Sequence, residues 1–119
     1  MSNKDNLKIG NKIFNSRLML GTGKYLSPEI MIESLESSKS EIITVAIRRI
    51  NRDDSNNLLQ FINWSKYWML PNTAGCTNCD EAIRIAHLGR ELAKLSGQED
   101  NNFIKLEVIP DSKYLLPDP

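Results

Sequence analysis

The sequence lacks a charge imbalance and a long apolar run. Its 119 residues suit one domain, and fifteen basic and fifteen acidic side chains cancel, so no long-range field would draw the chain to nucleic acid or an anionic membrane. No apolar stretch approaches the roughly 18 residues that cross a bilayer, and no signal-peptide core is present. We therefore predict no nucleic-acid or membrane partner, and a location in a bacterial cytosol or in an organelle that encodes the protein.

Metal-binding side chains are equally scarce. Cys76 and Cys79 form a Cys-x-x-Cys pair, and His87 is the one histidine. A structural zinc site takes four ligands, so these three candidates predict no bound metal. A redox dithiol at the start of a helix is the alternative, while two ordinary reduced thiols are the interpretation that we favour.

Patterns typical of strands and helices alternate along the chain. Residues 17–20 form a short apolar run that closes at Gly21 and Gly23, which indicates a strand followed by a glycine loop. Ser27 can then cap a helix whose first position is Pro28. The glycine loop lacks the third glycine of a dinucleotide fingerprint, so it is weak evidence for phosphate binding.

Two more strands are predicted downstream. Residues 41–49 are rich in β-branched side chains, and residues 68–70 form a short apolar run that should stop at Pro71. Residues 51–57 indicate a polar connection, and helical spacing begins at Leu58. The faces of residues 41–49 alternate, with Ile43, Val45 and Ile47 on an apolar face and Thr44, Ala46 and Arg48 on a mixed one.

The last third of the chain predicts a long helix and a fourth strand. The helix covers residues 79–96, with Asn78 in a capping position. Residues 103–109 then indicate a strand that ends at Pro110. Strands that alternate with helices from end to end predict an α/β fold with a parallel sheet and right-handed crossovers.

Two charged residues interrupt that fourth strand. Lys105 and Glu107 share one face, opposite Ile104, Leu106 and Val108. Parallel strands are normally covered on both faces, so these charges predict a polar cavity. Lost hydration would there lower the pKa of the lysine, whose amine could form an imine with a ketone, while the glutamate moves protons. The alternative is an exposed edge strand with a solvated ion pair.

Five stretches in order, covering most of the chain, resemble the bacterial and plastid thiazole synthase family of thiamine biosynthesis. They are Leu18-Met19-Leu20-Gly21-Thr22-Gly23-Lys24-Tyr25, Ile43-Thr44-Val45-Ala46-Ile47-Arg48-Arg49, Leu70-Pro71-Asn72-Thr73-Ala74-Gly75-Cys76, Ile104-Lys105-Leu106-Glu107-Val108-Ile109 and Leu115-Leu116-Pro117-Asp118-Pro119. The resemblance implies that residues 1–119 form a single partial domain. This domain would be the N-terminal half of a (β/α)8 TIM barrel, with about four parallel strands and intervening helices.

The resemblance also implies a reaction. Family members condense 1-deoxy-D-xylulose 5-phosphate with dehydroglycine and with sulfur from the thiocarboxylate of a sulfur carrier protein, giving the thiazole phosphate moiety of thiamine. Lys105 matches the lysine that forms the Schiff base, and Glu107 matches the glutamate implicated in acid/base steps. No cofactor or metal is implied, the phosphate site is expected in the C-terminal half, and the compartment would be the cytoplasm or the plastid stroma.

Partners and departures complete these expectations. A dehydroglycine-producing enzyme would supply one substrate. Open strand edges in half a barrel predict a homo-oligomer or complementation by a C-terminal half. The sequence departs from the family near Asn11 and at Lys39 and Ser40, where glycine is common, and at Cys79, where alanine is common. Two alternatives therefore stay open: a truncated, non-catalytic remnant or interaction module of this fold, and another Schiff-base sugar-phosphate barrel.

Overall fold

The computed structural model describes residues 5–23, 25–50 and 59–119. Over these residues the chain is a mixed α/β structure, in which an antiparallel hairpin precedes a parallel sheet and its helices. No helix in this part of the chain is long and apolar enough to cross a membrane. The predicted polar connection at residues 51–57 lies outside the described residues, as does Leu58, where the predicted helical pattern begins. Of that pattern, residues 59 and 60 are helical, and the helix does not extend to Ile62.

The hairpin was not predicted from the sequence. Leu7–Ile9 (β1) and Lys12–Phe14 (β2) pair in antiparallel register around a two-residue connection. Gly10 opens this connection with φ +60°, a conformation that glycine adopts without a steric penalty. Gly10 followed by Asn11 between two short alternating runs is a hairpin signal, so the sequence contained the information.

Three parallel strands form the main sheet, in the order in which they occur along the chain. They are Met19–Gly21 (β3), Ile42–Ala46 (β4) and Trp68–Asn72 (β5). The helix that connects β3 to β4 is the crossover that parallel pairing requires. The predicted parallel α/β arrangement is therefore confirmed for the first three strands, with limits that differ by at most three residues at each end.

Pro71 does not stop β5, contrary to the prediction. The strand continues through Pro71 to Asn72, and Pro71 lies in register with Val45 of β4. The carbonyl of Pro71 accepts a hydrogen bond from Lys105 N at 2.8 Å, so the missing N–H of Pro71 points toward residues 103–109. The ladder to β4 does not use that N–H, and for this reason the proline is tolerated.

The prediction of a regular strand at residues 103–109 is wrong in its extent. This segment makes one isolated parallel bridge, between Lys105 and Asn72. The next bond of a regular ladder would run from the nitrogen of Pro71 to the carbonyl of Phe103, and a proline cannot donate it. On the other side of the bridge, Glu107 N bonds the Thr73 hydroxyl at 2.8 Å instead of a backbone carbonyl. We refer to residues 103–109 as the bridged segment.

The predicted strand at residues 41–49 also ends early. After Ala46 the chain forms a 3-10 helix, Ile47–Arg49, closed by a bond from Ile50 N to Ile47 O at 3.1 Å. The side chain of Ile47 stays buried. The prediction that Arg48 lies on the mixed face of a strand is therefore wrong, because Arg48 belongs to the 3-10 helix and its guanidinium bonds the carbonyl of Gly75.

Two helices cover the described sheet, and both begin as predicted. They are Pro28–Ser38 (α1) and Cys79–Leu95 (α2). The side chains of Ser27 and Asn78 accept hydrogen bonds from the backbone N–H three residues on, at 3.2 and 2.9 Å. Lys39 ends α1 with φ +55°. A side chain there is strained, which explains why glycine would suit this position.

Alternation along the strands separates two faces of the sheet. The outer face packs against the helices: Ile43 contacts Met31 and Leu35 of α1, while Val45 and Met69 pack with residues of α2. Gly89 of α2 lies directly on β5, since a Cβ at this glycine would be 2.7 Å from Pro71 Cβ. We call the opposite side, which includes Thr44, Ala46 and Asn72, the inner face.

Candidate functional site

The carboxyl ends of the three parallel strands meet around an open cleft of about 300 Å³. Its lining comprises the glycine loop after β3, the end of β4, and the end of β5 with its following loop: Gly21, Thr22, Gly23, Thr44, Val45, Ala46, Arg49, Ile50, Leu59, Asn72 and Ala74. Parallel α/β folds bind ligands at this end of the sheet. The cleft is therefore the candidate site of the described structure.

The amino end of the same inner face is closed. Phe14 of the hairpin packs there on Ile42 and Leu70 in a buried apolar cluster. The ring of Phe103 from the bridged segment lies 6.1 Å from the Phe14 ring and 5.5 Å from the Trp68 ring, both edge to face. The inner face therefore has room for a ligand at its carboxyl end.

The structure places Lys105 beside this carboxyl end. Its parallel bridge to Asn72 puts the two side chains on the same face of the sheet. Lys105 N donates to Pro71 O at 2.8 Å, and Lys105 O accepts from Thr73 N at 3.2 Å. The side chain of Lys105 is exposed, so the loss of hydration expected from the sequence is not seen among the described residues.

Glu107 is held in place by the loop after β5. The hydroxyl of Thr73 accepts from Glu107 N and donates to Glu107 O, both at 2.8 Å. The carboxylate of half-buried Glu107 accepts from Gly75 N at 3.3 Å. Lys105 and Glu107 are thus both bonded to the loop after β5. Lys105 bonds it through its backbone, and Glu107 through its backbone and its carboxylate.

Arg48 fixes the same loop from its other side. Its guanidinium donates to the carbonyl of Gly75 and lies 3.3 Å from the Glu81 carboxylate. Gly75 has φ +91°, and a Cβ there would collide with the Arg48 guanidinium. Arg48, which the sequence placed on the mixed face of a predicted strand, therefore anchors this loop.

The two cysteines do not form a joint site. Cys76 is buried in the core beneath α2, whereas Cys79 is exposed, and both are free thiols. Burial raises the pKa of Cys76, and the nearby Glu81 carboxylate adds to this effect. His87 is exposed on α2, and the described residues contain no group of three side chains that could hold a metal ion.

Asn72 and Thr73 are the site residues that sequence reasoning missed, because the predicted strand stops at Pro71, before both of them. Asn72 is 7% exposed and Thr73 is 1% exposed. A pair of polar residues directly after an apolar strand is the signal that could have identified them, since such residues fall at the carboxyl edge of a parallel sheet.

Comparison with known proteins identifies a family. A family model described as "Thiazole biosynthesis protein ThiG" matches residues 8–119. A thiazole synthase of Prochlorococcus marinus (strain MIT 9312) is 71% identical over 120 residues, which cover all of this chain and 46% of that protein. A second, from Prochlorococcus marinus subsp. pastoris (strain CCMP1986 / NIES-2087 / MED4), is 73% identical over 114 residues, 95% of this chain and 43% of that protein. The chain spans less than half the length of these relatives, and it belongs to the thiazole biosynthesis protein ThiG family.

Proposed function

We propose that the chain supplies the imine-forming part of a thiazole synthase of thiamine biosynthesis. The full reaction condenses 1-deoxy-D-xylulose 5-phosphate with dehydroglycine and with sulfur from the thiocarboxylate of a sulfur carrier protein. The observation that carries the proposal is the position of Lys105. It stands in register with Asn72 at the carboxyl end of a parallel sheet, beside an open cleft, in a chain that belongs to this family.

The chemistry begins at the ketone of the sugar. The neutral amine of Lys105 attacks the carbonyl carbon, a C–N bond forms, and water leaves from the carbinolamine to give an iminium ion. The positive charge acidifies the neighbouring C–H, so a base can remove that proton. Glu107 is the candidate for this step, because its carboxylate lies two residues along the same side of the bridged segment. The scheme uses no metal and no redox cofactor.

The rest of the enzyme follows from the same proposal. The described sheet would be part of a (β/α)8 barrel, with β3, β4, β5 and the bridged segment as its first four strands. The hairpin then covers the amino end of the barrel interior. The sugar phosphate would bind in the other half, where TIM barrels commonly build such sites. That half would come from a longer chain, a separate polypeptide or a second copy.

Partners and compartment belong to this proposal as well. The sulfur carrier protein and a dehydroglycine-producing enzyme would act together with the chain. The relatives named above come from Prochlorococcus marinus, which favours the cytoplasm over the plastid stroma as the site of the reaction.

Borohydride trapping tests the proposal. The chain is supplied with the part of the MIT 9312 relative that it does not span, incubated with 1-deoxy-D-xylulose 5-phosphate, and reduced. We expect a stable mass increase on the peptide that contains Lys105. Lys105→Ala and Lys105→Arg should abolish it, because neither side chain can form an imine.

Lys94→Ala is the matched control, since this exposed lysine lies on α2 outside the cleft lining and its loss should leave trapping unchanged. Absence of label on Lys105 of the complemented chain would contradict the proposal and support a non-catalytic remnant. Equal labelling by unrelated ketose phosphates would instead support another Schiff-base barrel.

A further inference from the structure

Asn72 differs from the other buried asparagine of the described chain, Asn101. Asn101 is 3% exposed and all of its side-chain groups are used. Its Nδ2 donates to Met69 O at 2.7 Å and Gln98 Oε1 at 2.8 Å, and its Oδ1 accepts from Phe103 N at 2.9 Å. This is how a buried amide is normally satisfied.

Only one end of the Asn72 amide is used in this way. Its Oδ1 accepts from Ala74 N at 3.0 Å, and a backbone N–H can face only the oxygen, which fixes the orientation of the amide. The Nδ2 group makes no hydrogen bond within the described residues, although Asn72 is 7% exposed. The Nδ2 atom is not fully buried, and Asn72 lines the cleft. Nδ2 is therefore accessible from the cleft.

The position of this donor relates it to Lys105. Asn72 and Lys105 are bridge partners in parallel register, so their backbones lie about 4.8 Å apart and their side chains leave the same face of the sheet. A small ligand bound covalently to the lysine would therefore place its neighbouring atoms within reach of the Asn72 amide. A donor without an acceptor suits an oxygen of such a ligand.

We propose that Asn72 is a substrate-contacting residue, whose Nδ2 donates a hydrogen bond to the oxygen on the carbon adjacent to the imine that Lys105 forms. The inference rests on the proposed function. When the proton leaves that carbon, its electron pair forms a C=C bond and the iminium electrons return to nitrogen. Loss of the hydroxyl proton and protonation of the former imine carbon then leave a ketone on the adjacent carbon. The hydroxyl-bearing carbon is oxidised and the former imine carbon is reduced within the same molecule, so no external oxidant or reductant is needed. The oxygen gains electron density that an N–H donor stabilises.

The test uses the complemented chain and the sugar phosphate alone, in deuterated water. NMR follows the exchange of the C–H proton on the hydroxyl-bearing carbon next to the ketone. This exchange reports the step that Asn72 would assist. We expect Asn72→Ser to slow this exchange by about 100-fold, the usual loss when a preorganised donor is removed. Serine can still accept from the N–H two residues on, so the turn at Ala74 is retained.

Asn63→Ser is the matched control. Asn63 also accepts with Oδ1 from the N–H two residues on, at Ser65, but it is exposed and does not line the cleft. This variant should exchange at the wild-type rate. Exchange by Asn72→Ser within about threefold of wild type would overturn the inference, because the donor would then have no role.

Asn72→Asp decides the case if Asn72→Ser fails to fold by circular dichroism, since the carboxylate keeps the bond from Ala74 and lacks the N–H donor. Its negative charge could also act on the lysine. At a pH where the lysine amine is neutral in both proteins, an effect of the charge on the exchange rate disappears. A wild-type exchange rate there would overturn the inference, whereas a missing donor keeps exchange slow at that pH. The proposed function fails separately: without trapping of wild-type Lys105, both proposals fall, whereas trapping with normal exchange in the variant removes only the role of Asn72.

Discussion

The two ends of the inner face differ in their surroundings, an apolar cluster at the amino end and a cleft at the carboxyl end. At the amino end, aromatic and aliphatic side chains from the hairpin, the sheet and the bridged segment pack into a buried cluster. At the carboxyl end, Thr44, Ala46 and Asn72 surround a cleft. The strands are the same at both ends, so the difference lies in what covers them.

This difference separates stability from chemistry along a single sheet. Burial at the amino end contributes to folding through apolar area removed from water. At the carboxyl end polar groups stay partly solvated, and hydrogen bonds from the loop after β5 hold Glu107 in place. Substitutions at the amino end should therefore destabilise the fold, and substitutions at the carboxyl end should first impair the proposed reaction.

Phe14→Ala should produce the largest loss of stability. Phe14 is 2% exposed and belongs to a buried cluster with Ile42 and Leu70, so truncation should lower the free energy of unfolding by about 3–5 kcal/mol. Urea titration followed by tryptophan fluorescence measures the change, since Trp68 belongs to the same cluster.

Thr44→Val is the comparison at the opposite end of the inner face. Thr44 lines the cleft, and valine preserves its shape, so the free energy of unfolding should change by no more than about 0.5 kcal/mol. Equal losses for the Phe14 and Thr44 variants would break the separation between the two ends.

Thr73→Val should have an intermediate effect. It removes both bonds between the Thr73 hydroxyl and the backbone of Glu107, and the partly buried N–H and C=O left without partners should cost about 1–3 kcal/mol in urea unfolding. Thr73→Ser keeps the hydroxyl and should recover most of this loss. A serine variant as unstable as the valine variant would show that the methyl group matters instead.

Thiol labelling sharpens the comparison without changing stability. Burial raises the pKa of Cys76, and the thiolate is the form that reacts. Iodoacetamide should therefore modify exposed Cys79 in the folded protein, while Cys76 reacts only after unfolding or at a pH above the ordinary thiol range near 8.5. Peptide mass spectrometry separates the two sites, and similar rates at both would show that the loop after β5 opens readily.

Local signals predicted the helices well, because capping and periodicity act over a few residues. The starts at Ser27 and Asn78 are confirmed by their side-chain hydrogen bonds. The parallel sheet followed from alternation of strands and helices. The family itself was identified from motifs, and the comparisons confirm it.

The errors arose where contacts distant in sequence decide the outcome. Pro71 continues its strand because the N–H that it lacks would face the bridged segment and not β4. Arg48 leaves the sheet to hold Gly75, 27 residues away. The Nδ2 of Asn72 faces a cleft that three separate strands form. No short pattern in the sequence predicts that cleft.

The bridged segment has one further consequence, which concerns strand register. Peptide groups of its odd-numbered residues face β5 and the following loop, where Lys105, Glu107 and Ile109 donate their N–H groups. Peptide groups of the even-numbered residues face the other way, and of these Val108 O accepts from Asp118 N at 2.8 Å. A further parallel strand would thus pair through the peptide groups of residues 104 and 106.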